Sequence, residues 1–269
     1  MIAVTGATGE VGRRVVARLV EAGVPHRQVV RDASRAAATN GGDVRVASDY
    51  GARDEMAAAF EGAATVFLIP AAENAERVEQ HKTAVDAALA AGVDRLVYLS
   101  FLNAAPDATF TLARDHWATE EHIRATGLAW TFLRMNLYMD FIPGMVAADG
   151  VIRGPAGDGR LSAILRDDVA AAASAVLTTD GHDGATYDLT GPSSFSLAEA
   201  AELLGARYED ETDEQAYASR ASYGAPDWEI RGWVTSYQAI RDGSLDVLSP
   251  AMRDLTGRDA VSLAEHLSA

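Results

Sequence analysis

Three glycines at three-residue spacing, Gly6, Gly9 and Gly12, lie directly after the apolar run at residues 2–5. In a strand–loop–helix unit, the first glycine permits a tight turn, the second lets the backbone approach a pyrophosphate, and the third lets the helix pack on the strand. The helix that follows offers unpaired N–H groups and the positive end of its dipole to phosphates. We therefore predict a dinucleotide-binding loop. Its predicted contact residues are Gly6, Thr8, Gly9, Glu10, Val11 and Gly12.

Charged side chains at residues 31 and 32 follow the second predicted strand, where the adenosine ribose is expected. An arginine there can pair with a 2′-phosphate, and an acid can bind a 2′-hydroxyl. Because Arg31 comes first, directly after two valines, we predict NADP(H) as the cofactor, with NAD(H) as the alternative. Further cofactor contacts are expected at the carboxyl ends of other strands: Asp49, Tyr50, Ile69, Pro70, Ser100 and Asn136. The simpler interpretation of each is an ordinary loop residue.

His116 and Glu120 lie four residues apart on a predicted helix and therefore share a face. An imidazole with the ordinary pKa of about 6.5 could donate a proton to a reduced substrate or orient its carbonyl group. The alternative is a surface histidine paired with Glu120. The candidate catalytic residues are His116, Tyr138 and Ser100. Since no HExxH arrangement or nearby third ligand accompanies the pair, we predict no metal site.

Aromatic residues cluster around the same predicted strand ends. Together with His116 they could form a broad apolar slot for a planar, multi-ring substrate. The alternative is core packing. The candidate substrate contacts are Phe101, His116, Trp117, Tyr138 and Phe141.

These residues would be positioned by short β-branched runs that alternate with amphipathic stretches, the pattern of βαβ units and a parallel sheet. The expected fold class is α/β, with a Rossmann-like doubly wound parallel sheet and a smaller, mostly helical C-terminal substrate cap. The NAD(P)-binding part is predicted over residues 1–150 and the cap over 151–269, with part of 161–190 returning to the sheet. Strands are predicted at residues 2–5, 28–30, 44–46, 64–69, 95–99, 129–133 and 185–189. Helices are predicted at residues 11–22, 54–60, 75–91, 112–126, from a cap at Asp167 or Asp168 to 177, and from a cap at Ser196 to about 205. The apolar face of the first is predicted to contain Val15, Val16, Leu19 and Val20, and that of the 75–91 helix Val78, Val85 and Leu89.

The composition restricts the possible partners and location. The 269-residue chain has a formal net charge of −16 and no cysteine. This field repels phosphate backbones and anionic lipids, so neither a nucleic acid nor a membrane is an expected partner. The absence of cysteine excludes a disulfide scaffold and a thiolate nucleophile. No apolar run approaches the ~20 residues of a membrane-spanning helix, and no signal peptide is visible. We expect a cytoplasmic protein that is a monomer or homodimer.

Several segments resemble the NmrA-like, atypical short-chain dehydrogenases, and most closely the bacterial NAD(P)H:quinone oxidoreductases and triphenylmethane dye reductases. The resemblance implies a Rossmann fold, an NAD(P)H cofactor, and hydride transfer to a quinone or related conjugated aromatic acceptor. It also suggests that residues 131–140 border the nicotinamide and the substrate pocket. The segments are VTGATGEVG at 4–12, VVRDASRA at 29–36, SDYGARDEM at 48–56, AGVDRLVYLS at 91–100, LARDHWATEEHI at 112–123, TFLRMNLYMD at 131–140 and RDDVAAAA at 166–173.

The chain departs from ordinary short-chain dehydrogenases at the catalytic pair. Those enzymes use Tyr-x-x-x-Lys, in which the lysine lowers the pKa of the tyrosine. Lys82 is the only lysine here, and the residue four positions before it is Val78. Alcohol oxidation by that relay is therefore excluded. A quinone becomes aromatic when it accepts hydride, and the resulting phenolate can take its proton from water or from a modest acid such as His116.

Three functions remain open. The first is NAD(P)H-dependent reduction of a quinone or related conjugated aromatic compound. The second is a tailoring reductase in an oxygenation pathway, acting on an aromatic polyketide quinone. The third is an NmrA-type regulator that senses dinucleotides without catalysis. The aromatic residues at the strand ends and the closer resemblance to the reductases favour an enzyme.

Overall fold

A computed structural model describes residues 1–37 and 42–268. Its strands and helices follow one another along the chain largely as the sequence pattern predicts. In order they are β1 (Ile2–Thr5), α1 (Glu10–Glu21), β2 (His26–Val30), β3 (Asp43–Val46), α2 (Arg53–Phe60), β4 (Thr65–Leu68), α3 (Arg77–Ala90), β5 (Arg95–Phe101), α4 (Thr111–Thr126), β6 (Ala129–Met135), β7 (Val151–Gly154), β8 (Arg160–Leu161), α5 (Arg166–Thr178), β9 (Ala185–Leu189), β10 (Phe195–Ser196), α6 (Leu197–Leu203), β11 (Arg207–Asp210), α7 (Asp213–Ala221), α8 (Asp227–Arg241), α9 (Ala251–Thr256) and α10 (Leu263–Ser268).

The main sheet of the described residues has seven strands in the order β3-β2-β1-β4-β5-β6-β9. The ladders that join β3 to β2, β2 to β1, β1 to β4, and β4 to β5 are parallel. The strand order reverses beside β1, and in open α/β sheets ligands bind outside the carboxyl ends of the strands at such a switch point. The predicted Rossmann-like, doubly wound α/β fold is confirmed.

The chain divides into two compact units, each assembled from interleaved segments. The first unit comprises residues 1–101, 115–134 and 169–187, and the second comprises 102–114, 135–168 and 188–269. The predicted parts, residues 1–150 and 151–269, were each contiguous. The observed units are not contiguous, because segments distant in sequence pack together. Residues 169–187 belong to the first unit, and β9 is an edge strand of the main sheet.

The helices of the first unit bury faces that the apolar pattern predicted only in part. In α1, Val15, Val16 and Leu19 are buried, whereas Val20, which was predicted to share their face, is 40% exposed. In α3 the buried face contains two polar residues, Arg77 and His81. The expected packing residue Leu89 is 46% exposed instead. Polar side chains therefore occupy part of the core beneath α3.

The second unit contains two small sheets, with β10 antiparallel to β8 and β11 parallel to β7, and helices α6 to α10. The predicted start of α6 is confirmed, because Ser196 and Glu199 form a reciprocal capping box. The predicted cap of α5 is wrong. That helix begins at Arg166, so Asp167 and Asp168 lie inside its first turn. Their negative charges there interact favourably with the positive end of the helix dipole.

Candidate active site

The glycine loop between β1 and α1 has the close packing that its three glycines predicted. Gly6 has a positive φ of 56°, which favours glycine. Its carbonyl accepts the Gly9 N–H at 2.9 Å. A Cβ atom at Gly12 would lie 2.2 Å from the Gly6 carbonyl oxygen, so only glycine lets α1 approach the loop this closely. At Gly9 the corresponding distance is 3.2 Å.

The N-terminus of α1 presents backbone N–H groups to a ligand. Its N-cap is Gly9, and among residues 1–37 and 42–268 no side-chain hydrogen bond caps the first turn. Helices begin with N–H groups that have no intrahelical partner, and a phosphate can satisfy them. The Glu10 carboxylate is paired with Arg13 at 2.7 Å and Arg14 at 2.6 Å, so its charge is offset beside this site. The loop therefore fits a dinucleotide pyrophosphate. Of the other predicted contacts, Thr8 is half-buried and Val11 lies in the core.

The two charged residues after β2 have different surroundings. Asp32 caps a short 3₁₀ turn, because its Oδ1 accepts the Ser34 N–H at 2.9 Å and the Ser34 hydroxyl at 2.7 Å. Arg31 is exposed and has no hydrogen bond or ion pair with residues 1–37 or 42–268. Arg31 can therefore bind a ligand anion without breaking a bond to these residues, whereas Asp32 is already engaged.

Asp49 and Tyr50 stabilise local structure at the ends of β3 and β4. The Asp49 Oδ1 accepts the Gly51 N–H at 2.7 Å, and its Oδ2 accepts from Gln80 at 3.3 Å. The Tyr50 hydroxyl donates to the Ile69 carbonyl at 2.8 Å. Their predicted contact with the cofactor stays a prediction. The hydroxyl of Tyr50 instead fixes the segment that contains Ile69 and Pro70.

The segment after β4 lies directly against the glycine loop. The Ile69 N–H donates to the Thr5 Oγ1 at 2.9 Å. A Cβ atom at Gly6 would be 3.5 Å from the Ile69 side chain and 3.7 Å from the Tyr50 hydroxyl. Ile69 and Pro70 are half-buried. Side chains from β1 and the loop after β3 therefore hold Ile69 beneath Gly6.

His116 is buried, with 3% of its surface exposed, and both ring nitrogens face polar groups. Its Nε2 lies 3.5 Å from the Arg77 Nη2, and its Nδ1 lies 2.9 Å from the Tyr98 hydroxyl. A guanidinium can only donate, so Nε2 is the accepting nitrogen and the neutral ring carries its proton on Nδ1. The alternative interpretation, a surface pair with Glu120, is wrong, since His116 is buried and contacts Tyr98 of β5 and Arg77 of α3.

The expected ordinary pKa of His116 is also wrong. Burial, reinforced by the charge of Arg77, holds the pKa of His116 well below its usual range. The same two causes lower the pKa of the neighbouring His81 to about 3. Both rings are therefore neutral at neutral pH. A neutral imidazole whose N–H is already bonded to Tyr98 is poorly suited to supply a proton, which favours water as the donor.

Glu120 forms a separate buried network beside the end of β5. Its carboxylate accepts the Ser100 hydroxyl at 2.6 Å. It also accepts two bonds from Arg134, at 2.8 and 2.6 Å, and one from Arg124 at 3.2 Å. Because the Ser100 proton is committed to Glu120, Ser100 could donate to a cofactor or substrate only by giving up this bond. The only lysine, Lys82, pairs with Glu79 on the outer face of α3 at 2.8 Å.

Two of the aromatic candidates lie beside this network in the first unit. The Phe101 ring is buried, with its centroid 6.1 Å from that of His116. Trp117 is half-buried on α4. Phe101 thus satisfies the core-packing alternative, and a substrate contact at either residue stays a prediction.

In the second unit, Asn136 is fully buried. Its amide donates to the carbonyls of Ser162 at 3.1 Å and Leu245 at 3.0 Å, and to the Ser162 hydroxyl at 3.0 Å. Its side-chain oxygen accepts the Leu137 N–H at 2.8 Å. Each polar atom of the side chain is therefore engaged. A cofactor contact by this side chain would require one of these bonds to break.

Tyr138 and Phe141 form an aromatic pair with Arg166 in the second unit. The guanidinium lies 4.4 Å from the Tyr138 ring centroid and 4.2 Å from that of Phe141. Asp140 pairs with the same guanidinium at 3.5 Å. Phe141 is 56% exposed, so it is available for contact with a ligand and is not a core residue. The predicted aromatic character of this segment is present, and its contact with substrate stays a prediction.

Sequence reasoning missed Arg77 and Tyr98, the buried partners of His116, and His81, whose ring packs against Tyr98. A signal was present for two of them. Arg77 and His81 lie four residues apart on a predicted helix, the same spacing that singled out His116 and Glu120. Among residues 1–37 and 42–268, no group of three or more His, Asp or Glu side chains could hold a metal ion. Across the described residues, no helix is both long and apolar enough to cross a membrane.

The doubly wound sheet, the tight glycine loop and the helix that follows it define a dinucleotide-binding protein of the Rossmann class. The chain matches the NAD(P)H-binding family over residues 6–180 and belongs to that family. It is 34% identical to quinone oxidoreductase 2 of Escherichia coli (strain K12), over 100% of this chain and 98% of the relative. It is 36% identical to (4-alkanoyl-5-oxo-2,5-dihydrofuran-3-yl)methyl phosphate reductase of Streptomyces griseus, over 97% and 94% of the two chains.

Solved structures agree over the whole chain. The NADPH-dependent quinone oxidoreductase of Escherichia coli in complex with NADPH superposes with a TM-score of 0.91 at 33% identity, covering 100% of this chain and 99% of the other. The Citrobacter sp. triphenylmethane reductase in complex with NADP(H) gives 0.88 at 30% identity, with the same coverage. The negative transcriptional regulator NmrA gives 0.76 at 17% identity, which shows a shared fold alone. The predicted class, an NAD(P)H-dependent oxidoreductase similar to quinone reductases, is confirmed.

Proposed function

We propose that this protein is an NADPH-dependent reductase of quinones and other planar, conjugated acceptors. The observation that carries the proposal is the glycine loop at the uncapped N-terminus of α1, where Gly12 leaves no room for a side chain. The relatives named as quinone oxidoreductase and triphenylmethane reductase support the acceptor class.

The preference for NADPH over NADH rests on Arg31. This side chain is exposed and unpaired within the described residues, whereas the competing acid, Asp32, is held by Ser34. A guanidinium can bind a phosphate through two parallel hydrogen bonds. The 2′-phosphate of NADPH is therefore the group that Arg31 is suited to bind.

The type of acceptor follows from the proton donors. Bound NADPH supplies a hydride, and one proton from solvent completes the conversion of a quinone to a hydroquinone. His116 is neutral and bonded to Tyr98, and the Ser100 hydroxyl donates to Glu120. Neither group is arranged as a strong acid. An acceptor that becomes aromatic on reduction needs little general acid catalysis, which in other reactions contributes about 10²–10⁴-fold. We propose that Tyr138 and Phe141 contact this acceptor.

A second candidate acceptor is an electron-poor furanone that carries a phosphate group, since the name of the Streptomyces griseus relative describes such a substrate. A conjugated C=C bond in such a ring is also open to hydride addition. This candidate differs from the quinone in requiring a cationic side chain for the phosphate.

The charge of the chain bears on location and partners. With a formal net charge of −16, the protein repels nucleic acids and anionic membranes. We propose a cytoplasmic protein that acts on small molecules as a monomer or homodimer. Light scattering of the purified protein measures the oligomeric state.

The test is steady-state oxidation of NADPH and NADH under nitrogen with a panel of acceptors. The panel contains benzoquinone, menadione, a triphenylmethane dye, an acylated furanone phosphate and cyclohexanone. We expect turnover with the conjugated acceptors, faster with NADPH, and none with cyclohexanone, whose alkoxide product needs an acid. Tight NADPH binding without turnover of any acceptor would indicate a dinucleotide-sensing regulator instead.

A further inference from the structure

Both backbone polar groups of Ala71 are held by side chains of α3. The Ala71 N–H donates to the His81 Nε2 at 2.9 Å. The Ala71 carbonyl accepts from the Arg77 Nε at 3.2 Å. Arg77 and His81 lie one helical turn apart, so they approach the same residue from one face of the helix. The chain just beyond β4 is therefore fixed by specific hydrogen bonds, in addition to packing.

The other end of this segment is held equally firmly. Thr5 accepts the Ile69 N–H, and Tyr50 donates to the Ile69 carbonyl. Pro70, between the two held residues, has no N–H and a restricted φ. The Ile69 side chain packs beneath Gly6, the first glycine of the loop. Residues 69–71 thus connect α3 to the floor of the glycine loop.

Groups on α4 orient the two α3 side chains. Because the His81 Nε2 accepts from Ala71, the neutral ring carries its proton on Nδ1. That N–H donates to the Thr119 Oγ1 at 2.9 Å, and the Thr119 hydroxyl donates to the Asp115 carbonyl at 2.8 Å. The Arg77 Nη1 lies 3.7 Å from the Asp115 carboxylate. The bonds from Ala71 to His81, from His81 to Thr119 and from Thr119 to Asp115 therefore each have a defined donor and acceptor.

Packing alone does not explain polar residues at these positions. Arg77 is 6% exposed, and His81 and Thr119 are fully buried. Burying a cation or an imidazole is unfavourable compared with an apolar residue of similar size. An apolar side chain at either position could fill the volume, but it could not bind the Ala71 backbone. The polar side chains are thus suited to holding residues 69–71.

We propose that Arg77 and His81 are positioning residues for the dinucleotide: by holding Ala71 they keep Ile69 against Gly6 and fix the glycine loop in the form that receives the pyrophosphate. The proposal rests on the proposed function, because it takes the glycine loop as the NADPH site. It gives the buried cluster around His116 a role in binding the cofactor, without a proton-transfer step.

Three substitutions of His81 separate positioning from packing. In His81→Gln, the longer amide places an acceptor near the position of Nε2 and keeps the Ala71 bond. In His81→Asn, the shorter amide reaches the position of Nδ1 and keeps the Thr119 bond only. His81→Leu keeps neither. Hydrogen exchange at the Ala71 amide, NADPH dissociation constants and thermal midpoints are measured for each variant and for the wild type.

We expect the glutamine variant to bind NADPH nearly as the wild type does. The asparagine and leucine variants should bind roughly three- to tenfold more weakly, the effect of losing one hydrogen bond that orders the site. Exchange at Ala71 should accelerate in the same two variants. Thermal midpoints should not follow this order, because His81→Gln and His81→Asn each lose one hydrogen bond.

A second probe covers the case in which His81→Asn fails to fold. Arg77→Lys keeps a positive charge near Asp115 but places carbon where Nε donated to Ala71, so NADPH binding should weaken while folding is retained. The proposal would be overturned if His81→Gln and His81→Asn had the same affinity for NADPH, whether both bind it like the wild type or both bind it equally more weakly. Wild-type protein that binds no NADPH would overturn the proposed function first, and this proposal with it.

Discussion

The two buried, neutral histidines make a quantitative prediction about stability below neutral pH. Burial lowers the pKa of His81 to about 3, and the pKa of His116 is shifted in the same direction. In the unfolded chain a histidine titrates near pH 6.5. Between these values the unfolded state binds protons that the folded state does not. The contribution of these two histidines to the free energy of unfolding is therefore fully present above about pH 7 and is lost as the pH drops through the unfolded-state pKa.

The magnitude for His81 follows from these two pKa values. Between about pH 7.5 and about pH 5.0, proton binding to this one residue in the unfolded chain lowers the free energy of unfolding by about 2 kcal/mol. His116 adds a loss of the same sign. Asp and Glu side chains also respond to pH. Their contribution cancels when the wild type is compared with a variant that lacks one histidine.

The assay is urea unfolding of wild type, His81→Gln and Val85→Ala at several values between these pH limits. His81→Gln should recover about 2 kcal/mol of the loss that the wild type shows at the acid limit. Val85 is buried on the same helix and does not titrate, so its variant should be less stable by a constant amount and run parallel to the wild type. Parallel curves for wild type and His81→Gln would refute the reasoning, since His81 would then titrate alike in both states.

Three further predictions concern other parts of the molecule. Arg31→Ala should weaken NADPH binding roughly tenfold or more and leave NADH nearly unchanged, since one charged hydrogen bond is worth about 1.5–3 kcal/mol; equal losses in calorimetric titrations would contradict the assignment. Gly12→Ala should destabilise the apo protein by about 1–3 kcal/mol, because its Cβ would lie 2.2 Å from a carbonyl oxygen. Gly9→Ala is its milder control, and similar thermal midpoints for the two variants would show that the loop adjusts. Glu120→Gln should destabilise by about 3 kcal/mol in urea unfolding, because Arg134 loses its charged partner; a loss below about 1 kcal/mol would mean that solvent replaces the carboxylate.

The part of the fold that could be predicted is the part with local signals. The glycine spacing at 6, 9 and 12 predicted the loop, and β-branched runs predicted β1, β2 and β4 to within two residues at each end. The capping residue Ser196 correctly located the start of α6. Each of these features depends on a few neighbouring residues, whose conformational preferences are the same in any fold.

Helix faces were harder to predict where the sequence is rich in alanine. Alanines at 84, 87, 88 and 90 give α3 little contrast between its two sides, so the predicted buried face included the exposed Leu89. The buried face contains Arg77 and His81 in addition to the predicted Val85. Apolar periodicity cannot show a core position whose occupant is polar, because the signal assumes that buried residues are hydrophobic.

The sequence by itself determined the class of fold, the position of the phosphate-binding loop and the absence of a Tyr–Lys relay, since Lys82 is the only lysine. Only the tertiary structure decided what His116 does. Its neighbour in sequence at helical spacing, Glu120, binds Ser100 and two arginines, whereas its own partner Arg77 lies 39 residues away. The pKa of an imidazole depends on burial and on the charges that the fold brings near it. Burial and nearby charges are properties of the packed chain, and the spacing of residues along the sequence does not predict them.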